Sequence, residues 1–190
     1  MVASMLRALV LAQLAALLAL ALAPPSARSL LRRIQSLAEQ SSRGVDTSGN
    51  TEIIASIDLL RSSAPQLSSE VIEGTWELLW TTERETLFLI KNGLLGRPCT
   101  SVQQSISKDS LRNSVFFERD GSFEVQGSIS RTGPRTNFKF REVRLRLPPL
   151  LDLPLPPVGQ GWFDTVYASR ELRISFDVRG DYLVCQRTGR

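Results

Sequence analysis

The chain has 190 residues, 42% hydrophobic and 22% charged, enough for one well-buried domain plus a short extension and too apolar for wholesale disorder. It contains no histidine, which excludes Ser-His-Asp and Cys-His nucleophiles and any histidine-bound zinc or iron. The net charge is +4, but Arg7 and Arg28 lie in the first 28 residues; the 21 basic and 19 acidic residues that remain give +2, which is no nucleic-acid footprint.

Arg7 precedes an apolar run from Ala8 to Ala23, interrupted only by Gln13. Its 16 residues fall short of the roughly 20 that cross a bilayer and suit the core of a signal sequence, with an uncleaved anchor as the alternative. Ala21-Leu22-Ala23 offers a small-x-small cleavage pattern, and cleavage near Ala27 is an alternative because Pro24 follows at once. Arg28, Arg32 and Arg33, with serines and no acid before Glu39, extend the address. A signal followed by such a stretch looks like the two-part plastid address of algae with secondary plastids, and a plain secretory signal reads the first part equally well.

From Ser29, residues Leu30, Leu31, Ile34, Leu37 and Ala38 recur at helical spacing. This segment is expected to serve both as the remainder of a transit peptide and as a first helix. Asp46 to Asn50 reads as a polar linker. A second amphipathic helix carries Ile53, Ile54, Ile57 and Leu60 and stops near Pro65. The division expected is a targeting segment over 1–28, a transit remainder with the first helix over 29–45, and a folded domain over 46–190.

Beyond Gly74 the period becomes two. Trp76, Leu78 and Trp80 alternate with Glu77, Leu79 and Thr81. Val102 to Ile106 and Leu111 to Phe117 read as strands, the second leading into an Asp120-Gly121 hairpin. Phe123, Val125, Gly127 and Ile129 alternate up to the Thr132-Gly133-Pro134 turn. Phe138 and Phe140 share one parity and Val143, Leu145 and Leu147 the other, which predicts a bulge near Arg141-Glu142. Leu147 to Pro157 holds five prolines, so it reads as a loop whose leucines cap a barrel end, lie on lipid or form the lip of a cavity. Leu172, Ile174, Phe176 and Val178 alternate again, and Tyr182 to Arg187 closes the chain after Gly180-Asp181. Seven or eight antiparallel strands in this order predict a barrel or sandwich. Cys99 and Cys185 cannot build a four-thiolate site; one disulfide and two free thiols both remain open, and no metal or cofactor is expected.

Two blocks carry a resemblance: Gly74-Thr75-Trp76-Glu77-Leu78-Leu79-Trp80-Thr81-Thr82, and Gly161-Trp162-Phe163-Asp164-Thr165-Val166-Tyr167 with Leu172-Arg173-Ile174-Ser175. Together they resemble the plastid lipid-associated protein (fibrillin) family over residues 30 to 187. Gly74-x-Trp76 is also similar to the short signature of lipocalins, in which the tryptophan plugs the closed end of the barrel. Arg187 is placed to lie over that indole. After Ser175 the family usually continues with a basic residue and a Gly-Asp turn, whereas this chain reads Phe176-Asp177-Val178-Arg179-Gly180-Asp181, so its last hairpin is expected to be shifted.

The resemblance implies a mainly β, lipocalin-like antiparallel barrel preceded by two short α-helices. It implies a non-catalytic protein that binds or coats carotenoids, prenylquinones or fatty acids at plastoglobules or thylakoids, with hydrophobic molecules or a lipid surface as partners and no nucleic acid. Candidate ligand contacts are Trp76, Trp80, Phe138, Phe140, Trp162 and Tyr167, with Asp164 and Arg173 orienting a polar head. Each has a plainer reading: the aromatics as filled core, Asp164 as a turn cap paired with an arginine. An Asp164–Asp181 acid/base pair lacks a nucleophile between its members. A secreted carrier and a scaffold for a prenylquinone-synthesising enzyme are the rival functions.

Overall fold

The computed structural model describes residues 25–63, 69–157 and 159–188. The apolar run Ala8–Ala23 and its cleavage pattern lie outside the described residues. Helix α1 spans Ala27–Gln40, with Ser26 as N-cap accepting from the Ser29 amide, and α2 spans Asn50–Ser63. A single turn, α3 (Ser69–Ile72), leads into β1 (Gly74–Thr81), and α4 covers Arg84–Asn92. The remaining strands are β2 (Cys99–Ile106), β3 (Ser110–Phe117), β4 (Gly121–Thr132), β5 (Arg135–Leu147), β6 (Leu151–Leu155), β7 (Gln160–Ala168), β8 (Leu172–Asp177) and β9 (Tyr182–Arg187).

Pairing runs β4-β3-β2-β1-β9-β8-β7-β5, and β4 also pairs with β5, so eight antiparallel strands close into an up-and-down, lipocalin-like barrel. Closure needs strong local coiling, and four bulges supply it, one of them at Thr100 in β2 between Cys99↔Phe117 and Ser101↔Phe116. A second lies where Arg141 has no partner, between Gln126↔Glu142 and Gly127↔Phe140, which is the bulge that the switch in parity predicts. The others fall at Leu79 in β1 and at Val166 in β7.

Three local readings are corrected. Leu147–Pro157 is not all loop: β6 pairs with the second half of β5, from Val143↔Leu155 to Leu147↔Leu151. As an edge strand it needs only alternate N–H groups for its ladder, which leaves room for Pro154 opposite Arg144. Its neighbours Leu150 and Leu153 do not cap the barrel but stand exposed. The hairpin after β3 turns one residue earlier than Asp120-Gly121: Arg119 and Asp120 both have positive φ, 57° and 58°, as a two-residue primed turn demands. Helix α4 had no sequence signal, because its apolar residues Leu87, Phe88, Leu89 and Ile90 are consecutive rather than spaced along one face, and none is buried.

Two apolar clusters result. One lies outside the barrel wall, where Leu30, Ile34 and Ala38 of α1 and Ile53, Ile57 and Leu60 of α2 cover Trp80, Val166, Leu172, Ile174 and Val184. The second lies within the barrel and includes Trp76, Leu78, Ile106, Leu111, Ile129, Phe163 and Cys185. One end of the barrel is shut by α3 and Trp76, whose indole N–H donates to the Ile72 carbonyl at 2.9 Å. Arg187 lies 4.2 Å from the Trp76 ring centre and donates to the carbonyls of Glu73, Val71 and Arg170.

Gly74 has φ 135°, and a Cβ there would meet Arg187 Nη1 at 2.0 Å. Gly74→Ala is therefore expected to cost roughly 1–3 kcal/mol through backbone strain and displacement of Arg187, read as a fall in Tm.

Candidate ligand-binding site

Inside the barrel, β5 contributes Phe138 and Phe140, whose ring centres are 4.9 Å apart, and β7 contributes Phe163, 6.5 Å from Phe138. Glycines make room for these rings. A Cβ on Gly161, the cross-strand partner of Phe138, would meet that ring at 3.0 Å, and one on Gly159 would meet Phe140 at 3.1 Å. The glycine that opens the Gly161–Tyr167 block is thus a seat for a phenylalanine.

These rings, with Leu111, Leu183, Gln104 and Asn113, line a cavity of about 330 Å³, at the small end of the roughly 300–1,000 Å³ usual for ligand sites. A lobe of about 90 Å³ adjoins it, sharing Glu83, Gln104, Asn113 and Leu183 and reaching Trp76, Leu78 and Cys185. The rim is formed by Gly159 and Gln160, by Glu83 ahead of α4, and by Asp177, Val178 and Arg179 of the β8–β9 turn. A larger groove of about 630 Å³ lies outside, between α1, β1 and α4, with Glu39, Arg43, Glu77 and Lys91 in its walls. Its mixed charges suit water better than an apolar ligand.

The rim is a charge cluster. Arg179 stands 3.0 Å from Glu85, 3.4 Å from Asp177, and 3.7 Å from both Asp181 and Glu83. It thereby fastens α4 to the last hairpin. Burial pushes the Glu83 carboxyl above its ordinary value, opposed by a 2.8 Å hydrogen bond from Thr86 and by the Arg179 charge.

Within the barrel, outside the lining of either cavity, lies Arg173, 0% exposed. Its guanidinium sits 5.4 Å from the Trp76 ring centre and 5.6 Å from that of Phe163. Nη2 donates to Gln104 Oε1, and Gln104 Nε2 donates to Asn113 Oδ1 at 2.8 Å. Nη2 also lies 3.9 Å from the Cys185 sulfur, while Nε and Nη1 have no hydrogen-bond partner among the described residues. The buried hydroxyls of Thr136 and Thr165, on neighbouring inward positions, likewise have none. Burial lowers the Arg173 pKa and raises that of the Cys185 thiol. Both cysteines are free, and their strands hold them on separate pairings.

Trp76, Phe138, Phe140 and Arg173 therefore come together within the barrel. Trp80, Trp162, Asp164 and Tyr167 do not join them. Trp80 and Tyr167 belong to the helix-covered cluster outside the wall. Asp164 forms a two-pronged pair with Arg135, at 2.8 and 2.9 Å, and Arg135 lies 3.7 Å from the Trp162 ring centre. Gln104 and Asn113 join the cavity wall beyond the contacts expected from the sequence. Their signal is in the chain: each is a polar residue on the apolar phase of its strand, between Val102 and Ile106 and between Leu111 and Val115.

The sequence profile of the PAP_fibrillin family matches residues 30–186. The chain belongs to the PAP_fibrillin family. It is 39% identical over 168 residues to the probable plastid-lipid-associated protein 11, chloroplastic, of Arabidopsis thaliana, covering 82% of this chain and 78% of that one. A crystal structure of a lipocalin-like protein from Bacteroides uniformis aligns at TM-score 0.40 and 14% identity, over 62% of this chain and 99% of that one. The family match takes in α1 from Leu30, all the barrel strands and both inward phenylalanines of β5 in this fibrillin.

Proposed function

We propose that this fibrillin is a non-catalytic plastid protein whose barrel holds one apolar molecule, of the acyl, prenylquinone or carotenoid type, at plastoglobule or thylakoid surfaces. The observation that carries the reading is the phenylalanine-lined cavity under an open rim, instead of the solid interior that eight strands can also enclose. Burial of ligand against those rings contributes about 25 cal/mol for each Å² of apolar area removed from water. Trp76, Phe138 and Phe140 are the contacts retained for the ligand, and Arg173 is set aside because it lines neither cavity. Trp80, Trp162, Asp164 and Tyr167 serve the outer wall. The absence of histidine and the lack of any base on the Thr136 and Thr165 hydroxyls favour binding over covalent chemistry. The plastid assignment is supported by the similarity to a chloroplastic Arabidopsis protein and by the arginine- and serine-bearing N-terminal segment.

Protein recovered from isolated plastids is expected to release a prenyl or acyl lipid on extraction, identified by mass spectrometry. Phe140→Ala should weaken binding of a neutral apolar dye such as Nile red by about tenfold, the effect of roughly 50 Å² of lost apolar contact. A lipid-free protein that also ignores the dye would sink the reading.

A further inference from the structure

The mouth of the barrel cavity is spanned by ion pairs. Glu83, the N-cap of α4, stands on one side of the rim and the turn carrying Asp177, Val178 and Arg179 on the other. The turn holds the near part of the Arg179 side chain. Its amide donates to Asp177 Oδ1 at 2.8 Å, and Nε lies 3.4 Å from Asp177 Oδ2 and 3.7 Å from Asp181 Oδ2. The far nitrogens reach across to the helix, Nη2 to Glu83 at 3.7 Å and Nη1 to Glu85 at 3.0 Å.

Helix α4 is otherwise lightly held. None of its residues is buried, and there is open space on both sides of it: Glu83 and Thr86 line the inner lobe, while Ile90 and Lys91 line the outer groove. A short element with no buried apolar side chain belongs to the low-stability end of a fold and opens locally at small cost. Its two ends are pinned. Ahead of it the Thr82 amide donates to the Tyr182 carbonyl at 3.2 Å, and behind it Gly93, φ 65°, leads into a turn closed by reciprocal bonds between Leu94 and Arg97.

Resting on the reading that the barrel holds an apolar molecule, we infer that α4 is the gate of the cavity and Arg179 its latch. When Arg179 releases Glu83 and Glu85, the helix withdraws toward the outer groove, and ligand passes between it and the β8–β9 turn. Several features make this a latch that opens. Exposed ion pairs contribute little each and are screened by salt. Burial pushes the Glu83 carboxyl above its ordinary value, so the closed arrangement carries a desolvation cost that withdrawal relieves. The groove, of about 630 Å³, receives the displaced side chains.

The test follows Nile red into and out of the full chain by stopped flow. Arg179→Gln should raise the rates of uptake and release together, by about three- to tenfold, the combined effect of two exposed ion pairs. Loss of a mere ligand contact would raise release alone. Salt should accelerate exchange in wild-type protein and not in the variant, because screening acts on the pairs that the variant lacks. A covalent latch gives the opposite result. In a Cys99→Ser background, Glu85→Cys with Arg179→Cys, bridged by a short thiol-cleavable bismaleimide, should release dye about tenfold more slowly than wild type, and cleavage should restore fast release. Exchange rates that are the same in wild type, Arg179→Gln and the bridged protein, with dye bound at equilibrium, would overturn the gate and leave apolar binding intact. Failure of wild-type protein to bind the dye at all would overturn the reading beneath it, and the gate with it.

Discussion

Replacing Trp80 with alanine is expected to cost about 3–5 kcal/mol of stability, while the folded variant binds its apolar ligand as tightly as wild type. Trp80 is completely buried, and its indole N–H donates to Asn50 Oδ1 at 2.9 Å, fixing the first residue of α2 to the barrel wall. Around it lie Ile34, Ala38, Ile53, Ile57, Ile174 and Val184. Removing the ring opens a cavity in the layer between helices and barrel, which relaxes only in part. A domain is stable by only about 5–15 kcal/mol, so this loss is a large fraction of the total. Chemical denaturation gives the stability, and Nile red titration below the transition gives the binding. The outcome separates the two tryptophans of the first strand. If Trp80→Ala weakened ligand binding as much as folding, the division between outer cluster and inner cavity would be wrong.

Deletion of residues 26–40 is expected to do more, abolishing cooperative folding. Three fully or nearly buried side chains, Leu30, Ile34 and Ala38, would be lost from the outer cluster. Burial of each larger one contributes about 1.5–3 kcal/mol, and uncovering Trp80, Ile174 and Val184 adds a comparable cost on the barrel side. The sum approaches the whole stability of a domain. Loss of near-UV circular dichroism with gain of dye binding by exposed apolar surface would register the effect. For the proposed plastid targeting this has a consequence: a processed form that folds is expected to keep Ser26 and the helix it caps, with its N-terminus at or before Ser26. A stable, ligand-binding protein that begins after Gln40 would refute this.

Much of the architecture was legible in the chain. The change from a helical period to a period of two at Gly74 marks where the N-terminal helices end and the first barrel strand begins. The parity conflict between Phe140 and Val143 located a bulge, because a strand with one dry and one wet face reports its own orientation. The pairing of Gly74 with Arg187 over Trp76 also follows from residue type, since only glycine leaves space for the guanidinium there.

What the chain could not decide is which apolar face of β1, β7, β8 and β9 looks inward. Trp76, Leu78 and Trp80 alternate without interruption, yet the bulge at Leu79 sends Trp80 outward while its two companions face the interior. On β8 the apolar phase, Leu172 and Ile174, lies outside beneath the helices, and the polar phase, Arg173 and Ser175, lies inside. Hydrophobic alternation separates wet from dry, and along this arc of the wall both faces are dry, one filled by the barrel interior and the other covered by α1 and α2. The sequence thus determined the family, most of the barrel strands and the presence of an arginine in the Leu172–Ser175 block. Only the tertiary structure buried Arg173 inside the barrel and gave Asp164 to Arg135 instead, leaving Arg173 with no carboxylate ion pair among the described residues.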